Sequence, residues 1–288
     1  MDKIILNYYF LKKVINKLDD NIKSNLRYDE DLLLNLSNFK SSPLFFDLYK
    51  LKNDKKYNIY ENFHSELFDE FLIECAINLE KENSYKKLLL FYGMLTHHVL
   101  ESHIDPYLNA LKSDDYDIRY AENMIDYYYS KKLELDIIKN PLNDKFPQAF
   151  LYLDYMDELI HNPMIKVFKL MSSKNYFKKC YKKLRRFYSS SKMSLIKRIN
   201  YPLWDLFRKN KIKAKSFYYK DDIDTKLLNM EKNEYQIGEN TYNYSLDEVI
   251  DIALNDVLER INAFNLYLFE SNDKKLRKLY KIDELKKM

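Results

Sequence analysis

Glycine is nearly absent from this chain of 288 residues, which contains only Gly93 and Gly238. Phosphate-binding loops, dinucleotide fingerprints and nucleophile elbows each need several glycines, because their backbone turns sharply or approaches the ligand closely. The sequence therefore excludes the usual P-loop NTPases, protein kinases, Rossmann dehydrogenases and serine hydrolases.

Cysteine and long apolar runs are scarce as well. The two cysteines, Cys75 and Cys180, form neither a disulfide framework nor a Cys-x-x-Cys motif, and both lie in helix-like patterns that favour buried free thiols. No stretch approaches the roughly 18 apolar residues of a membrane span, and the N-terminus lacks the apolar core of a signal peptide. We therefore expect no transmembrane helix, and a cytoplasmic location is the simplest prediction.

Charged residues are abundant but nearly balanced. They make up 32% of the chain, with a formal net charge of +4. This excess is smaller than that of a dedicated nucleic-acid binder, so the composition argues against nucleic acid as the partner. One basic stretch, residues 178–198, has two interpretations: a solvated helix face balanced by acidic helices, or a surface that binds phospholipid headgroups or nucleic acid.

Helical periodicity dominates the sequence, and hairpin signals of the Asn-Gly or Asp-Gly type are absent. The predicted helices cover residues 8–23, 66–79, 86–104, 120–132, 150–160, 165–188 and 246–269. Pro106 disfavours helix at Asp105, so we expect the chain to bend there. Because no low-complexity linker divides the chain, residues 1–288 are predicted to form a single all-α domain of many helices, with an irregular loop at 209–243.

Histidine and carboxylate residues cluster in one part of the chain. Four of the five histidines lie between residues 64 and 103. With about 100° per helical residue, His97, Glu101 and Asp105 lie within about 80° of one another on a helix. Imidazole beside carboxylates is the chemistry of a transition-metal site, although one helix face supplies only two or three ligands. The alternative is that these side chains are exposed or hydrogen-bonded without metal.

Other segments can complete such a shell. His64 lies just before the preceding predicted helix, and Glu122 and Asp126 are four residues apart on the following one. Neutral imidazoles and carboxylates together suit zinc, manganese or iron, and a site with an open position activates water.

The motif around these histidines resembles a known family signature. Residues 91–107 read FYGMLTHHVLESHIDPY, which is similar to the Gly-x-x-x-His-Tyr-x-x-Asp-Ser-x-x-His-Pro-Tyr segment of the bacterial zinc-dependent phospholipase C family. His97 stands at the first ligand of that segment, Glu101 at the aspartate and Asp105 at the second histidine. The resemblance is strongest over residues 57–130.

The elements on both sides of this segment resemble the family with departures. His64 is similar to the histidine of an upstream element, and Glu122 and Asp126 are similar to the acids of a downstream His-x-x-x-Glu-x-x-x-Asp element. Ile118 replaces the histidine of that downstream element, and Leu44 replaces an aspartate near the N-terminus. Leucine and isoleucine side chains cannot bind a metal.

The resemblance implies an all-α fold with up to three zinc ions, in which a metal-activated water attacks a phosphodiester. The ligands that it implies in this chain are His64, His97, Glu101, Asp105 and Glu122. Besides the two replacements above, Asn7 or Tyr8 stands where the family usually has an N-terminal histidine. One zinc ion, or a remnant without metal, therefore fits this chain better than three.

Three functions follow from the sequence, and it leaves open whether the chain is an enzyme. The first is a divergent zinc-dependent phospholipase C that hydrolyses a phosphodiester or phospholipid headgroup at a partly eroded metal site. The second is a catalytically inactive helical scaffold that binds an anionic lipid or protein partner, as the lost ligands and the basic stretch suggest. The third is a related nuclease, in which Trp204 and the tyrosines stack on bases.

Overall fold

The computed structural model describes residues 3–25, 67–81, 84–112, 118–135, 153–169 and 223–280. This part of the chain is mostly helical, which confirms the predicted class. The helices are α1 (Ile4–Lys17), α2 (Asp20–Asn25), α3 (Leu67–Lys81), α4 (Tyr85–Leu111), α5 (Ile118–Lys132), α6 (Leu153–Phe168), α7 (Leu246–Glu270) and α8 (Lys274–Leu279). None of these helices is both long enough and apolar enough to cross a membrane.

Helix α4 is the central element and contacts α1, α3, α5, α6 and α7. Ser84 caps its start, since the Ser84 side chain accepts a hydrogen bond from the backbone of Lys87. The prediction that this helix stops before Pro106 is wrong, since it continues to Leu111. Tyr107 and Leu108, directly after the proline, are fully buried, and the Tyr107 hydroxyl donates a 2.9 Å hydrogen bond to the Leu227 carbonyl. Tertiary packing therefore outweighs the local cost of proline in a helix.

Helix α7 packs along α4 and begins at a capping box. The Ser245 side chain accepts from the Glu248 backbone, and the Glu248 carboxylate accepts from the Ser245 backbone at 2.9 Å. Phe264 of α7 meets Phe91 of α4 edge to face, with ring centroids 4.8 Å apart. The predicted helix 246–269 is confirmed to within one residue.

Other helix bounds differ from the prediction where proline or a break is involved. The predicted helix 8–23 is two helices, α1 and α2, which are separated at Leu18 and Asp19. Helix α6 runs through Pro163 to Phe168 and thus joins two segments predicted as separate helices. Residues 170–188 lie outside the described residues.

Residues 223–243, the described part of the predicted irregular loop, are more regular than expected. A 3-10 turn covers Thr225–Leu227, and strands β1 (Tyr235–Ile237) and β2 (Asn240–Tyr242) form an antiparallel hairpin. Its two-residue turn places Gly238 at φ 61°, a left-handed conformation that favours glycine. The hairpin was missed because its turn reads Gly-Glu instead of Asn-Gly or Asp-Gly. Residues 209–222 lie outside the described residues.

Candidate functional site

The structure brings four of the five predicted metal ligands together. His97, Glu101 and Asp105 lie on successive turns of α4, and Glu122 faces them from α5. His97, Glu101 and Glu122 are buried, whereas Asp105 is partly exposed. Buried carboxylates need charged or hydrogen-bonding partners, so the site must supply them. The fifth predicted ligand, His64, lies outside the described residues.

The ammonium group of Lys3 lies among these carboxylates. Its Nζ atom is 2.6 Å from Asp105 Oδ1, 3.2 Å from Glu122 Oε1 and 3.5 Å from Glu101 Oε1. The Lys3 side chain is only 1% exposed. Burial by itself lowers the pKa of Lys3, but the three carboxylates outweigh this effect and raise the pKa well above its ordinary value. Lys3 therefore carries its positive charge at neutral pH.

The His97 ring is held on one side and unpartnered on the other. Its Nδ1 atom lies 3.0 Å from Asn7 Oδ1, and because an amide oxygen only accepts, the hydrogen bond is donated by Nδ1–H. Its Nε2 atom lies 2.9 Å from Glu101 Oε2 but forms no hydrogen bond with it. Among the described groups, Nε2 thus has a charged neighbour and no hydrogen-bond partner.

Asp126 binds the start of α1 from α5. Its Oδ1 atom accepts hydrogen bonds from the backbone of Ile5 at 3.0 Å and of Leu6 at 2.9 Å. The first N–H groups of a helix have no partner within the helix, so Asp126 caps α1 from a distant part of the sequence. Burial raises the pKa of Asp126 to about 7, the two hydrogen bonds oppose this rise, and Glu122 adds to it. Asp126, which the sequence placed near the candidate metal site, therefore serves as a cap of α1.

The described residues do not fit a zinc ion together with Lys3. Zinc needs carboxylate oxygens at about 2.0–2.2 Å from one centre. Here the nearest oxygens of the cluster surround an ammonium nitrogen, which has no lone pair to offer a metal and repels a second cation. Within the described ranges, no group of three or more His, Cys, Asp or Glu residues has the arrangement of a metal site.

Sequence reasoning identified most of this site but missed its central residue. Asn7, placed by the resemblance near a lost histidine, does contact His97. Ile118 packs partly buried against the hydrophobic core, as an apolar replacement should. Lys3 was missed because one lysine ahead of an apolar run carries no sign of its distant partners. Leu44 lies outside the described residues.

His98 and His103, the other two described histidines of this part of the chain, contact neighbouring helices. His103 Nε2 lies 3.1 Å from Asp256 Oδ2, and Arg260 Nε donates to the other oxygen of Asp256 at 2.8 Å. This group ties α4 to α7. The His98 ring packs on Phe68 of α3, with centroids 4.3 Å apart.

No protein-family model, curated protein or solved structure matches this chain. The described fold and site define a mostly helical protein with a buried lysine among carboxylates. The relationship to the zinc-dependent phospholipase C family stays a prediction that rests on the sequence motif.

Proposed function

We propose that this chain is a catalytically inactive helical scaffold, in which Lys3 neutralises a polar core that resembles a metal site, and that it binds an anionic partner. The supporting observation is the Lys3 ammonium, which lies 2.6 to 3.5 Å from carboxylate oxygens of Asp105, Glu122 and Glu101. These three carboxylates are the ones that the sequence resemblance implies as metal ligands of a hydrolase.

The chemistry of an ammonium group differs from that of a divalent ion. A hydrolytic zinc ion polarises a bound water and lowers the pKa of that water to about 7, which creates a nucleophile. An ammonium donates hydrogen bonds and supplies one positive charge, but it offers no vacant coordination position. With Lys3 charged, the cluster stabilises the packing of α1 on α4 and α5 and leaves no vacant position for a metal-bound water.

Metal analysis of the wild-type protein tests this proposal. We expect protein purified without added zinc to contain far less than one zinc per chain, and added zinc to leave the melting temperature unchanged. Hydrolysis of a generic phosphodiester should stay at the buffer rate with or without zinc. One zinc per chain that is lost in His97→Ala, with turnover that disappears in Glu101→Gln, would contradict the proposal.

A single-zinc hydrolase of the phospholipase C type is the second candidate, and one observation favours it. His97 Nε2 and Glu101 Oε2, two atoms that could bind the same ion, lie 2.9 Å apart on successive turns of α4. For this candidate Lys3 must leave the cluster. The same zinc analysis separates the two candidates, because only the hydrolase requires His97 to retain metal.

The anionic partner is inferred from charge. The chain has a net charge of +4, and its one basic stretch includes Lys182, Lys183, Arg185 and Arg186. These residues lie outside the described residues, so the inference rests on sequence. We expect co-sedimentation with vesicles that contain an anionic lipid, weakened by raised salt and by reversal of these four charges to glutamate. If the charge-reversed variant binds the vesicles as well as wild type does, the partner is not an anionic lipid bound by this stretch.

A further inference from the structure

One turn of chain contacts every member of a polar face that spans two helices. We define the polar face as His97, Glu101 and Asp105 of α4 with Glu122 and Asp126 of α5. The Lys3 ammonium lies beside the carboxylates of Glu101, Asp105 and Glu122. The backbone N–H groups of Ile5 and Leu6 donate to Asp126, and the Asn7 amide oxygen contacts the His97 ring. The residues from Lys3 to Asn7 therefore occupy this face as a ligand would.

The acceptors of the polar face match a primary ammonium group. Three oxygens, one each from Asp105, Glu122 and Glu101, lie 2.6, 3.2 and 3.5 Å from one nitrogen, and an ammonium has three N–H donors. A guanidinium is a planar fork that prefers two parallel hydrogen bonds to a single carboxylate. A quaternary ammonium has no N–H to donate.

A second feature of the polar face is independent of the carboxylates. The His97 side chain is only 5% exposed, and its Nε2 atom has no hydrogen-bond partner among the described groups. This nitrogen lies 2.9 Å from Glu101 Oε2 and thus borders the cluster. The polar face thus includes, besides its carboxylates, a buried ring nitrogen that has no hydrogen-bond partner among the described groups.

We propose that the polar face is a binding site for a primary ammonium group and that Lys3 occupies it in cis. This inference rests on the proposed function, in which an ammonium and not a metal ion neutralises the cluster. When the Lys3 side chain is absent, the same acceptors bind the ammonium of a free primary alkylamine. In the intact chain the N-terminal turn is thus a tethered ligand that fills this site.

Chemical rescue of Lys3→Ala tests this inference. Propylammonium has the atoms from Cγ to Nζ that the substitution removes. We expect propylammonium chloride to raise the melting temperature of Lys3→Ala with saturation, as mass action requires, and tetramethylammonium chloride at the same concentration to have a much smaller effect. Wild type and the control Lys17→Ala, which removes an exposed lysine at the end of α1, should each respond equally to the two salts.

The outcomes separate this inference from the proposed function. Equal responses of Lys3→Ala to the two salts would overturn the ammonium site. Rescue by zinc instead of propylammonium would also overturn it, because the face would then be a metal site. Zinc in the wild-type protein, by contrast, contradicts the proposed function whatever the amines do.

A measurement on the wild-type protein covers the case in which Lys3→Ala does not fold. Acetylation of lysines in the native state, read by mass spectrometry, reports how accessible and how basic each amine is. We expect Lys3 to react at least about tenfold more slowly than Lys17, because a buried, ion-paired ammonium rarely becomes the free amine that reacts. Equal labelling of the two lysines would overturn the inference.

Discussion

Replacing Lys3 with methionine isolates the role of the buried charge. Methionine keeps an unbranched apolar side chain and removes the ammonium. In the native protein the carboxylates of Asp105, Glu122 and Glu101 offset the cost of burying Lys3. In the variant these carboxylates face one another without that positive charge, so the folded state loses stability relative to the unfolded state.

The size of the effect follows from the burial of each partner. Removing one member of a buried ion pair costs about 3–5 kcal/mol, since the remaining charge is left uncompensated. The Asp105 side chain is 36% exposed, so water compensates this carboxylate in part, whereas those of Glu101 and Glu122 are 11% exposed. We therefore expect a loss of about 3 kcal/mol, a large share of the 5–15 kcal/mol typical of a folded domain.

Urea unfolding of wild type and Lys3→Met at pH 8 and pH 5 measures this loss. The control is Lys17→Met, which removes an exposed lysine from the end of α1 and should change stability by less than about 0.5 kcal/mol. Carboxylates left without Lys3 bind protons more tightly in the folded state than in the unfolded state. Proton uptake therefore favours folding as the pH falls, and the cost of Lys3→Met shrinks at pH 5. A variant as stable as wild type at pH 8, or a cost that does not change with pH, would refute the reasoning.

Three further predictions concern the groups around the core. Burial raises the pKa of Asp126 from 3.8 to about 7, so the folded state binds a proton across this window that the unfolded state lacks. The contribution of Asp126 to the free energy of unfolding then rises as the pH falls, by at most about 1.4 kcal/mol per pH unit. Asp126→Asn should remove this pH dependence, which urea unfolding midpoints at pH 5 and pH 8 measure. Ser245→Ala removes the cap of α7 and should cost about 1 kcal/mol in thermal unfolding, whereas Ser245→Thr keeps most of it. Tyr129→Phe deletes a 2.8 Å hydrogen bond to Asp247 and should cost about 1.5–3 kcal/mol; no change in urea stability would show that Asp247 is satisfied without it.

Local signals predicted the helices well. Apolar periodicity located α5 and α7, and the Ser245 and Glu248 side chains mark the start of α7 because the groups they bind are within four residues. Signals of this kind depend on neighbours in the sequence. Pro106 and Pro163 are exceptions, because α4 continues past the first to Leu111 and α6 past the second to Phe168, and the sequence does not reveal the packing that permits this.

Four of the five residues predicted as metal ligands lie together in the structure, but the cation at their centre was not predicted. Helical spacing alone places His97, Glu101 and Asp105 on one face, which is why sequence indicated a cation site there. The cation that the structure places among them comes from Lys3, which is 102 residues from Asp105 and 119 from Glu122. No local pattern links such distant residues.

The sequence by itself determined a mostly helical protein and a helix face rich in imidazole and carboxylate, because both depend on periodicity over a few turns. Only the tertiary structure decided how that face is neutralised. The packing of α1 against α4 and α5 brings the Lys3 ammonium to the carboxylates and the N-terminal backbone to Asp126. Electrostatic partners in a buried site are chosen by distance in space, and residue types at helical spacing do not reveal whether a metal or a side chain supplies the charge.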